Sequence, residues 1–205
     1  MKRLLFITHR VPYPPDKGDR VRAFHEIAAL AGRFRVTLAS LSHAPGDRAA
    51  AGPLGELCER VLLAPAGGAW GLLRGAAGVL RGRSLTEGYF ASRRLRRLLR
   101  AEAAREPFGL VFAYCTSTLP HALAVPAPAR VIDLVDVDSA KWAGYAERAA
   151  WPKSWLFRRE AAAVRALERR AAREFDAALL VSPAECAAAG EPERLIPVSN
   201  GVDLE

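Results

Sequence analysis

Cysteine is scarce in this sequence and forms no motif. The three present, Cys58, Cys115 and Cys186, are far apart, and no C-x-x-C occurs. An odd, unpaired set points to a reducing compartment and away from a disulfide framework or structural zinc. Each sits beside apolar residues and reads as a core filler. Long apolar runs are also missing. No stretch reaches the roughly 18 uncharged apolar residues of a membrane span, so no transmembrane helix is predicted. The opening MKRLLFITHR places two basic residues before an apolar run. Leu4 to Ile7 is too short for the core of a signal peptide, and no small-residue cleavage site follows, so a buried first strand is expected. There is no G-x-G-x-x-G, which disfavours a dehydrogenase-type dinucleotide site, and no Walker A pattern. No Ser-His-Asp or Cys-His arrangement can be argued from order or spacing. Two or three carboxylates without a suitably spaced histidine or further acid do not make a metal site.

What is present describes a folded α/β protein. The 205 residues are 51% hydrophobic and 25% charged, enough for one large domain or two small ones. The net charge is +8, with arginine far outnumbering lysine. Nucleic acid, an anionic membrane surface or an anionic substrate would each suit that charge. A GC-rich genome also enriches arginine, alanine, glycine and proline. With aromatics at only 8% and no recognised nucleic-acid motif, no nucleic-acid partner is expected.

Short apolar runs alternate with helical patterns along the chain. Strands are expected at 2–8, 34–40, 60–65, 108–115, 129–136, 176–183 and 194–200. Helices are expected from Gly18 to Gly32, at 69–81, at 91–105 and at 151–175, with a short one within 42–56. In the long helix Phe157, Ala161, Val164, Leu167, Ala171 and Phe175 share a face, with arginines turned away from it. Strand, loop, helix, strand is the opening unit of a doubly wound fold. The expected architecture is a Rossmann-like, mostly parallel sheet.

Two loops and one basic region are candidates for function. In doubly wound sheets ligands bind outside the carboxyl ends of the strands. The first such loop holds His9, Arg10, Tyr13, Lys17, Gly18, Asp19, Arg20 and Arg22. A glycine at a helix start lets a phosphate approach backbone N–H groups, and the helix dipole favours the negative charge. Lys17 and Arg22 would add positive charge. An ordinary helix start with solvated charges explains the same residues. The second loop ends VIDLVDVDSAKW, where Asp133, Asp136 and Asp138 gather. If the strand continues, alternation puts Asp136 and Asp138 on one side and Asp133 on the other. Asp136 is the better candidate to act as a base or to orient a hydroxyl. Asp138 with Ser139 also fits a helix N-cap. The third feature, Trp70 to Arg105, interleaves large apolar residues with arginines. It reads either as membrane-surface helices or as helices with an apolar stripe in the core and arginines in water. His25 and His121 fall on helical positions and are expected to be structural.

Beyond these local readings the chain resembles a known family. RVPYPPDKGDRVRAFHEIAAL, VIDLVDVDSAKWAGYA, WPKSWLFRREA, FDAALLVSPAE and VSNGVDLE appear in order. They resemble the exosortase/PEP-CTERM-associated sugar transferases, a branch of the family-4-like glycosyltransferases. The resemblance implies a GT-B fold, in which two Rossmann-like domains face each other across a cleft. The N-terminal domain chiefly holds the acceptor, here lipid-linked or saccharide, and the C-terminal one holds a nucleotide-sugar donor. Such enzymes retain anomeric configuration, need no metal or other cofactor, and would act in exopolysaccharide synthesis. The resemblance places Gly18 near the donor diphosphate, with Lys17 and Arg22 beside it. It places Asp136 at the reacting sugar, with Asp138 nearby, where many relatives carry a histidine. Residues Asn200 to Asp203 mark the crossing into the second domain. Residues 1–199 are then the acceptor-side domain and 200–205 the start of a linker. On this reading the donor-binding domain is missing and the chain alone is expected to be inactive. The expected location is the cytoplasm, at the periphery of the inner membrane. A non-catalytic module that binds membrane or anionic glycolipid is the alternative.

Overall fold

The computed structural model describes residues 1–66, 68–190 and 194–201. In chain order the elements begin with β1 (Arg3–Thr8), α1 (Gly18–Ala31), β2 (Arg35–Ser42), α2 (Asp47–Ala50), α3 (Leu54–Leu57) and β3 (Arg60–Pro65). Three helices follow before the next strand: α4 (Gly68–Leu80), α5 (Leu85–Phe90) and α6 (Arg93–Arg105). Then come β4 (Leu110–Tyr114), a 3-10 turn (Thr116–Thr118), α7 (Leu119–Ala122) and β5 (Arg130–Val135). The described elements close with α8 (Asp138–Arg148), α9 (Lys153–Glu174), β6 (Ala177–Leu180), α10 (Pro183–Ala189) and β7 (Leu195–Pro197).

All seven described strands are parallel, in the order β3-β2-β1-β4-β5-β6-β7. β1 shows why its sequence is a continuous apolar run. It lies between β2 and β4 and is buried on both faces. Successive side chains point to opposite faces, so Leu5 and Ile7 enter one core while Leu4 and Phe6 enter the other. On the second face α1 covers the sheet with Ala23 and Ile27. On the first, Leu95 and Leu99 of α6, Leu119 of α7 and Leu167 and Ala171 of α9 pack against it. Arg3 is buried, paired with Glu102 at 2.7 Å and stacked on Phe108, its guanidinium carbon 4.6 Å from the ring centre.

The expected strands are all present, trimmed or extended by a few residues at their ends. Helices α5, α7 and α10 were not expected. Each is seven residues or shorter, too short to show helical periodicity. Among the described residues no helix is long and apolar enough to cross a membrane.

Candidate functional site

Because every strand runs the same way, all the carboxyl ends lie on one edge of the sheet. The order reverses between β1 and β4, which opens a crevice at that edge. His9, just after β1, sits in the crevice. Its ring stacks parallel on Tyr114 at 6.3 Å and meets Phe90 of α5 edge-on at 5.6 Å. Asp19, in the first turn of α1, comes within 3.7 Å of His9 Nε2 and 3.3 Å of Arg10 Nε. The Tyr114 hydroxyl donates to the Asp19 carbonyl at 2.8 Å. Burial, helped by Arg10, lowers the His9 pKa to about 4, although Asp19 pulls it the other way. The imidazole is therefore neutral near pH 7. Its Nδ1 and the hydroxyls of Thr8 and Thr116 are buried with no hydrogen-bond partner among the described residues. Buried polar atoms are ordinarily paired, so these three are available to water or to a hydroxyl-bearing ligand.

Asp136 lies on the same edge. β5 ends at Val135, whose φ of 68° turns the chain out of the sheet. The strand alternation expected through Asp138 therefore does not apply. Asp136 and Asp138 instead converge on one cation: Lys141 Nζ is 2.7 Å from Asp136 and 3.3 Å from Asp138. Burial pushes the Asp138 carboxyl up, and Lys141 pulls it back down. Asp138 is not the cap of α8. It is the first helical residue and makes no capping bond from its side chain. Glu168 of α9 takes that role, accepting from Ser139 N at 2.9 Å and Ser139 Oγ at 2.6 Å. Cys115, just after β4, is half-buried with φ 69°. Its thiol is pushed well up by burial and then by the charges of Asp138, Asp133 and Asp19.

Gly18, Arg22 and Asn200 meet in a third place, a cleft of about 550 Å³ between α1 and the segment after β7. A side chain at Gly18 would meet nothing within 4 Å, so packing does not require the glycine. Lys17 is the N-cap residue of α1, exposed and without an ion pair among the described residues. Arg22 differs from the free cation expected. It is buried, with Nε 2.6 Å from Asp133, Nη1 donating to Asn200 Oδ1 at 2.7 Å and Nη2 to the Val198 carbonyl at 3.1 Å. Glu26, one helical turn on, sits 3.4 Å from Arg22 Nε. Burial and contact with Asp133 push its carboxyl pKa well up, outweighing the pull of Arg22. Its Oε2 has no hydrogen-bond partner among the described residues, and Glu26 lines the cleft. Glu26 escaped the sequence reading, though its four-residue spacing from Arg22 was there to be seen. Asp203 of the NGVD segment lies outside the described residues.

Another groove, about 430 Å³, runs between α8 and α9. It is lined by alanines with Glu147, Arg158 and Arg165 and brings no catalytic constellation together. His121 is buried with Nε2 3.1 Å from the Phe90 carbonyl, whereas His25 is exposed. Cys58 and Cys186 are buried in the two cores. Among the described residues no group of three or more histidines, cysteines and acids is arranged to hold a metal ion.

No protein-family model matches this chain, and no curated protein sequence matches it. A solved structure does. Sucrose-phosphate synthase from Thermosynechococcus elongatus superposes with a TM-score of 0.64 at 14% sequence identity, covering 98% of this chain and 49% of that one. The likeness shows the fold: a Rossmann-like parallel sheet matching one half of a GT-B arrangement. This chain spans about half the length of that protein.

Proposed function

We propose that this chain is the acceptor-side half of a glycosyltransferase that moves a sugar from a nucleotide-sugar donor to a lipid-linked or saccharide acceptor. The fold match is to a protein named as a sugar-phosphate-forming synthase. The order of motifs resembling exosortase-associated sugar transferases adds retention of configuration and a role in exopolysaccharide synthesis. The observation that carries the reading is the shared edge: the loop to Gly18, the His9 crevice and Asp136 all lie at the carboxyl ends of one parallel sheet.

The residues take these roles. The start of α1, with Lys17 exposed and open space over Gly18, receives the donor diphosphate through backbone N–H groups and the helix dipole. Arg22 and Asn200 act by holding the segment after β7 against α1, which builds one wall of the cleft. Asp136, partly exposed and held by Lys141, orients or deprotonates the acceptor hydroxyl. Asp138 keeps Lys141 in place beside it. A nucleotide diphosphate leaves well only when preorganised cations face it, and Lys17 alone is a thin supply. A second, donor-binding half is therefore part of the proposal, and the single chain is expected to be inactive.

The test is a transfer assay on protein that carries both halves. Asp136→Asn is expected to lower kcat by about 100-fold or more with little change in donor KM. Unaltered turnover would remove Asp136 from the mechanism.

A further inference from the structure

Helix α4 is built inside out. Its sequence, GAWGLLRGAAGVL, is apolar except for Arg74, and such a helix ordinarily buries its large side chains. Here the buried residues are Gly71, Gly75 and Gly78. They let α4 lie against the backbone of α5. A Cβ on Gly71 would come 3.0 Å from the Tyr89 carbonyl oxygen, and one on Gly75 would come 3.1 Å from that of Leu85. The large residues consequently face outward: Trp70 is 74% exposed, Leu72 and Leu73 60% each and Leu80 90%. A second apolar group lies at the corner between α8 and α9, where Tyr145, Trp151 and Trp155 are all exposed.

The two groups are fastened together. Arg159 Nη2 donates to the carbonyls of Val79 at 2.6 Å and Arg83 at 2.8 Å, at the C-terminal end of α4. Glu160 accepts from Ser84 Oγ, Leu85 N and Thr86 N. Trp155 is one turn before Arg159 on the same face of α9, which sets it beside the end of α4 that carries Leu80. Charge follows the same segments. Residues 68–84 and 148–159 contain no acid. They present Arg74, Arg81, Arg83, Arg148, Lys153 and Arg158, all exposed and without an ion pair among the described residues.

We infer that this surface docks on an anionic lipid bilayer. Tryptophan and tyrosine favour the headgroup boundary, where the ring is buried and the polar edge stays wet. Leucines inserted beside them supply apolar burial, and basic residues around them are drawn to anionic lipid. A second copy of the chain is a poor occupant, because two such patches would oppose their unpaired cations across the contact. Phe90, at the end of α5, meets His9 and His43 at the strand ends. A bilayer under α4 therefore lies one helix away from the crevice. The inference rests on the surface alone and stands apart from the transfer reading.

Vesicle co-sedimentation of the 205-residue chain tests it, with tryptophan emission as a second readout. Phosphatidylcholine vesicles with phosphatidylglycerol are compared with phosphatidylcholine alone, at low and high salt. Binding to the anionic vesicles, weakened by salt, with a blue-shifted emission, is expected. Trp70→Ser/Leu73→Ser and, separately, Arg81→Glu/Arg83→Glu are each expected to lower the affinity by about tenfold or more. Their circular dichroism should stay that of the wild type, because these side chains are exposed. Failure of the wild type to bind anionic vesicles at low salt overturns the inference. So does equal binding by both variants, or self-association that the variants abolish while vesicles go unbound.

Discussion

Arg22 commits every nitrogen of its guanidinium to the protein itself. The carboxylate it meets, Asp133, is fully buried in β5. Removing one partner of a buried ion pair leaves an uncompensated charge, at a cost of about 3–5 kcal/mol. Arg22→Met is therefore expected to lower the unfolding free energy by that amount in urea titration. Arg22→Met/Asp133→Leu should recover most of the loss, because no charge is then stranded. Full stability in the single variant would show that Glu26 and Asp133 can share a proton and dispense with the arginine.

His9 has its pH dependence set by the same physics with the opposite charge. Its folded pKa, about 4, lies below the ordinary 6.5. Between those values the unfolded chain binds the proton and the folded one does not. Stability from this group is present above pH 6.5 and is lost as the pH falls toward 4, by about 3 kcal/mol in all. Thermal melts across this range are expected to show the acid-dependent loss in the wild type. The loss should be smaller in His9→Phe, which keeps an aromatic ring against Tyr114 and Phe90.

At the scale of elements, helix ends are completed by residues far away in sequence. Glu160 joins the local cap Ser84 at the start of α5, Glu168 caps the start of α8, and Glu185 of α10 accepts from the Val137 N–H at 2.6 Å. A glutamate on another helix gives no local signal, which is why Asp138 with Ser139 read as the cap. The α4–α5 hairpin shows the same dependence on a partner. Its tightest point is Gly88, where a Cβ would fall 2.7 Å from Gly75 Cα and 2.8 Å from the Arg74 carbonyl oxygen. These are backbone atoms and cannot swing aside. Gly88→Ala is expected to cost about 1–3 kcal/mol and to raise amide exchange across residues 68–90, leaving β1 and β4 protected. Unchanged protection in that hairpin would mean the two helices do not pack so closely.

At the scale of the molecule, the parallel sheet makes one working edge. The seven described strands, in the order 3-2-1-4-5-6-7, bring the loop after β1 and the loop after β5 to the same side although residues 18 and 136 are far apart in the chain. That arrangement is the precondition for the Asp136 test. The docking surface follows from a different part of the fold, the hairpin inserted between β3 and β4 and tied to α9. Loss of vesicle binding and loss of transfer are thus separable outcomes.

The sequence by itself determined the alternation of strands and helices, the doubly wound class and the loops that follow the carboxyl ends of the strands. These rest on local regularities: β1 is apolar from Leu4 to Ile7 because both its faces are covered, and α9 repeats its apolar residues at the helical period. Only the tertiary structure decided which face of α4 is buried. A glycine stripe has no apolar signature, and it turns inward because α5 approaches too closely for any side chain. Tertiary contact also decided the state of Arg22, whose partner lies 111 residues away. A charge reads as free until the fold brings its counterion, and that pairing depends on distances in space, which local spacing does not encode.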